Sequence, residues 1–125
     1  MRKIRIALTI LLVLALTFTV FACKGGGDDK KGLHVGILTT SGVDDGSFGQ
    51  ACYEGIQAFV KANPGTSVND VKEDKFDRVV QAVAEIIADY DAMVMPGFQF
   101  AGAGKVADEN PEKFFLLVDA YPKIT

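Results

Sequence analysis

Histidine occurs once, cysteine twice and tryptophan not at all in the 125 residues. With His34 alone and no CxxC pair, the chain has no His/Cys set at the spacing a zinc site requires. Neither GxxxxGK[ST] nor GxGxxG follows a strand-like run, and "GAGK" at Gly102 to Lys105 lacks the needed spacing. "SGVDDG" is not the GxSxG of a nucleophile elbow. The serines have no evident base, and Asp44 and Asp45, as loop neighbours, are poor candidates for opposed acid and base roles. No enzyme, no metal and no cofactor is expected from these residues. Positive charge is also scarce. Thirteen Lys and Arg face sixteen Asp and Glu. Three of the basic residues (Arg2, Lys3 and Arg5) fall within residues 1–22, which hold no acid. The remainder therefore has ten basic and sixteen acidic groups, a balance that argues against nucleic acid as a partner.

What the chain does have begins at its amino end. The basic start leads into an uncharged apolar run, "IALTILLVLALTFTVFA" over residues 6–22. This is the layout of a secretory signal, although the run also approaches the length of a membrane span. "VFAC", Val20 to Cys23, resembles the bacterial lipoprotein signal, with an aliphatic residue three before the cysteine and a small one just before it; Phe21 is bulkier than usual. The resemblance implies a signal peptide over 1–22 and lipid attachment at Cys23. Several acyl chains would then hold the protein at the extracytoplasmic face of the cell membrane. "KGGGDDKKG" completes a flexible tether over 23–32. With Cys23 acylated, Cys52 has no disulfide partner and is most simply a small core residue.

From Leu33 onward strand and helix patterns alternate. "LHVGILTT" reads as a buried strand. Phe48, Cys52, Ile56, Phe59 and Val60 fall on one helical face, stopped by "NPG" at Asn63 to Gly65, and Ser47 or Asp45 is placed to cap that helix. "TSVNDVKED" is a weaker strand. Phe76, Val79, Val80, Val83, Ile86 and Ile87 give a second helical face. "DAMVMPGF" is a strand, a short helix is expected around Lys105 to Asn110, and "FFLLVDA" is a last strand. The alternation predicts an α/β fold, an open parallel sheet with crossover helices. Runs that are apolar throughout suit strands covered on both faces, and His34, inside the first strand, suits a structural role.

Ligands of such sheets bind outside the carboxyl ends of the strands. The segments there are Thr39 to Phe48, Gly97 to Phe100 and Asp119 to Tyr121, each with aromatic or acidic residues after an apolar strand. Two acids in the first segment disfavour phosphate. Capping and the helix dipole account for one or both acids, and Phe48 is either a packed ring or a stacking platform.

"VGILTTSGVDDGSFGQACYEGI" resembles the opening of the basic membrane protein family, lipoprotein receptors for purine nucleosides that serve ABC importers. The matching residues are Gly42, Asp44, Asp45, Ser47, Phe48, Gln50, Tyr53, Glu54 and Gly55. "MPGFQF" and "NPEKFFLLVDA" are similar to two later segments of that family, in the same order. The resemblance covers the chain after Gly32. It implies that residues 33–125 form a partial first lobe of a type I periplasmic-binding-protein-like fold, because family members are two-lobed and longer. It also implies a ligand-facing set of Thr39, Thr40, Asp44, Phe48, Gly49, Gly97, Phe98 and Asp119. In that set Phe48 would stack on the purine, Asp119 would accept from a ribose hydroxyl, and residues before the turn would read the base edge. An ABC permease would be the partner. Thr39 stands where the family commonly has an acid, and Gly49 where it commonly has asparagine. The expectation is of a truncated member, and the alternative function is a surface lipoprotein that acts as an interaction module, or a non-functional fragment, without small-ligand binding.

Overall fold

A computed structural model describes residues 31–123. The signal segment, Cys23 and most of the tether lie outside the described residues. Four strands, β1 (His34–Thr39), β2 (Ser67–Lys72), β3 (Ala92–Pro96) and β4 (Phe114–Val118), form one sheet in the order β2-β1-β3-β4. Every pairing is parallel. The connections carry helices α1 (Phe48–Ala62), α2 (Val79–Ile86) and α3 (Gly104–Glu109), with 3₁₀ turns at Ile87–Asp89 and Phe98–Ala103. The α/β expectation holds, and the arrangement is consistent with a partial lobe of the type I binding-protein kind.

Chain direction explains which helix covers which face. β1 to β2 moves one way across the sheet, whereas β2 to β3 and β3 to β4 move the other. Right-handed crossovers therefore put α1 on one face and α2 and α3 on the opposite face. Side chains alternate accordingly. Leu38, Met93 and Met95 point towards α2 and α3, where they pack with Val79, Val83, Phe100 and Val106. Val35, Ile37 and Val94 point towards α1 and meet Cys52, Tyr53 and Ile56.

Burial is uneven between the faces. Phe100, Leu38, Met93 and Val83 are fully enclosed on the α2/α3 side. On the α1 side, Phe114 and Leu116 of β4 are 65% and 58% exposed. The apolar run of β4 thus departs from the expectation that such runs are covered on both faces. β4 is an edge strand, and α1 reaches over β1 and its neighbours but leaves β4 open. The second helix also starts later than its pattern suggested: Phe76 lies in the preceding turn, 59% exposed, and Val79 opens the helix. Among the described residues no helix is long and apolar enough to cross a membrane.

Candidate functional site

Strand register brings three loop segments to one edge. Ile37 is level with Val94, and Val94 with Leu116. Two residues further on, Thr39, Pro96 and Val118 end β1, β3 and β4 together. Thr40, Gly97 and Asp119 are the first residues outside the sheet, at the edge where ligands meet such folds.

The first segment is held by its own polar groups. Thr39 is 3% exposed, and its hydroxyl accepts from the Gly42 N–H at 3.0 Å. Thr40 is half-buried and Asp44 is exposed. Asp45, not Ser47, caps α1: its Oδ1 accepts from the N–H groups of Ser47 (2.9 Å) and Gln50 (3.1 Å), and its Oδ2 accepts from the Ser41 hydroxyl. Ser47 sits at the N-cap position without a side-chain bond. The Ser41 hydroxyl, followed by these backbone donors, holds the Asp45 carboxyl down at about 2. Asp45 is therefore occupied by the helix start.

Gly49 is buried, and a Cβ there would stand 2.2 Å from the Gly42 carbonyl oxygen. The turn backbone occupies the space that an asparagine side chain would need. Phe48, the first residue of α1, is 40% exposed. Gly97 has φ 108°, a conformation glycine adopts without strain, and its N–H donates to the Val118 carbonyl at 2.9 Å. Phe98 is 74% exposed. Asp119 is exposed and, among the described residues, is the one non-glycine residue at positive φ, 59°. Such strain collects where a side chain must be aimed.

Sequence reasoning did not pick out Gln99. Its Nε2 donates to the Pro96 carbonyl at 3.0 Å and reaches the Thr40 hydroxyl at 3.5 Å, so it links the exits of β3 and β1. An amide two residues after a strand-ending Pro-Gly was the available signal, but the partner across the crevice is 59 positions away.

The other titratable groups lie elsewhere. His34 is at the opposite, amino edge of the sheet. Its Nδ1 is 2.8 Å from the Asp89 carbonyl, so that nitrogen carries the proton, and its ring sits 4.8 Å from Tyr90. The His34 N–H donates to Asp91 and, as the first cause, lowers that carboxyl's pKa. Burial, then the Asp45 charge, pushes the Cys52 thiol up. Among the described residues no group of three or more His, Cys, Asp or Glu is placed to hold a metal ion. Two hollows flank β4. One of about 610 Å³ lies against α1, lined by Leu33, Cys52, Ile56, Phe59, Phe114 and Leu116. The other, about 430 Å³, lies between Phe115, Leu117 and α3.

The edge thus combines two exposed rings, a carboxylate at positive φ and an amide–hydroxyl pair, without a nucleophile–base pair. It suits binding of a flat, polar-edged molecule. No family model matches the chain. The chain is 30% identical, over 134 aligned positions and 95% of its own length, to proteins named CD4+ T-cell-stimulating antigen from Listeria innocua and Listeria monocytogenes. It spans 38% of the length of these relatives, so the similarity reaches one region of a longer protein.

Proposed function

We propose that the chain supplies the first lobe of a substrate-binding lipoprotein of the basic membrane protein type, anchored through Cys23 on the extracytoplasmic face and delivering a purine nucleoside to an ABC permease. One observation carries this reading: three neighbouring parallel strands end at one edge, where Phe48 and Phe98 stand in water and Asp119 is held at positive φ. Phe48 stacks on the base, an interaction worth about 1–3 kcal/mol per base on comparable platforms. Asp119 accepts from a sugar hydroxyl, and a second lobe provides the facing wall. Calorimetric titration of the detergent-solubilised chain with guanosine, inosine and adenosine tests it. Saturable binding supports the receptor role; no heat up to about 1 mM nucleoside, a ceiling near −4 kcal/mol of affinity, overturns it while circular dichroism shows a folded domain. Cys23→Ser should move the protein out of the membrane fraction, and an unchanged distribution would remove the anchor. The exposed Phe114 and Leu116 favour a second reading, an interaction module, which a negative nucleoside titration of folded protein would leave standing.

A further inference from the structure

Strand order reverses between β1 and β3, so their exits diverge to opposite faces and open a crevice. Gln99 and Thr40 span it. The Pro96 carbonyl can only accept, so the atom of Gln99 facing it at 3.0 Å must be the amide nitrogen. That contact sets which way round the carboxamide lies. Its second N–H points towards the Thr40 hydroxyl at 3.5 Å. Among the described residues nothing donates to the remaining atom, Oε1. Gly97 permits this pose, because a Cβ at that position would come within 2.4 Å of Oε1. Oε1 of this half-buried side chain is open to water, so a ligand that covers it must bring an N–H in place of that water, and a ligand without one leaves the acceptor unpaired.

We propose that Gln99 is the specificity-determining residue of this edge, its Oε1 selecting nucleosides with an N–H donor on the six-membered ring. The inference rests on the nucleoside reading above. The 6-oxopurine nucleosides, with N1–H, meet the requirement; purine riboside carries no donor on that ring. The detergent-solubilised full chain, wild type and Gln99→Met, is titrated calorimetrically with inosine and with purine riboside. Wild type should bind inosine at least about tenfold more tightly than purine riboside. Gln99→Met should bring the two affinities within about twofold of each other by weakening inosine alone. A role in loop structure only would instead weaken both nucleosides together. Equal wild-type affinities, or a preference that survives Gln99→Met, overturn the Gln99 assignment and leave nucleoside binding intact. Failure of wild type to bind either nucleoside overturns both. The wild-type ratio needs no variant, so equal affinities overturn the assignment even where the Gln99→Met chain fails to fold.

Discussion

The two faces of this one sheet are built differently. On the α2/α3 face, Leu38, Met93, Val83 and Phe100 are fully enclosed by two helices and a 3₁₀ segment. On the α1 face, Val35, Ile37 and Val94 are buried, but Phe59, Phe114 and Leu116 remain 46–65% exposed. Composition does not explain the contrast, since β4 is apolar on both sides. Crossover handedness explains it: the one connection that runs towards β2 leaves its helix over that half of the sheet. Cohesion is thus concentrated on the α2/α3 face, while α1 is held by a smaller cluster around Val35, Ile37 and Val94 and by the Asp45 cap at its start.

The largest expected effect tests the enclosed face. Phe100→Ala should cost about 3–5 kcal/mol, enough to unfold a marginal domain, as read from urea midpoints. A loss below about 1 kcal/mol would show that this face is not the main core. Next comes the contact that seats α1. Gly49→Ala forces a Cβ against the Gly42 carbonyl, with an expected cost of about 1–3 kcal/mol in thermal melts; a neutral result would mean that the turn relaxes freely.

Acid should act on the same helix start more gently. The folded chain keeps Asp45 ionised down to about 2, against an ordinary 3.8. Its stabilisation is therefore complete above about pH 4 and is lost as pH falls through 2. Asp45→Asn should flatten that part of the pH–stability curve, and an unchanged slope would remove Asp45 from the account. The smallest effect belongs to the open face. Leu116→Ser should change stability by no more than about 0.5 kcal/mol in urea titrations. A cost of about 2 kcal/mol or more would mean that the face is covered in solution.

Much of the fold was legible in local pattern. The buried strand read in "LHVGILTT", the helical spacing of Cys52, Ile56 and Phe59, and the stop at Asn63 to Gly65 all appear where expected. In that stop the Asn63 side chain donates to the Phe59 carbonyl at 2.8 Å. The helix expected around Lys105 to Asn110 forms over Gly104–Glu109. The 3₁₀ segment Phe98–Ala103 was not legible, because a run of small and aromatic residues has no capping signal of its own. It forms where Phe100 is drawn into the core. Of the candidate site, the edge and its aromatic and acidic residues could be read from strand ends. Sequence offered Ser47 or Asp45 as the helix cap, and the structure selects Asp45; the engagement of Thr39 in the turn and the reach of Gln99 to Thr40 could not be read.

Sequence alone determined the order of strands and helices, the parallel sheet they imply and the edge at which ligands would meet it. Hydrophobic period, caps and glycine–proline stops act over a few residues and need no distant partner. Tertiary structure decided which face of β4 is left bare, why residue 49 must be glycine, and which way the Gln99 amide presents its oxygen. Each of these depends on groups far apart in the chain, and only the topology of the sheet sets how closely they approach.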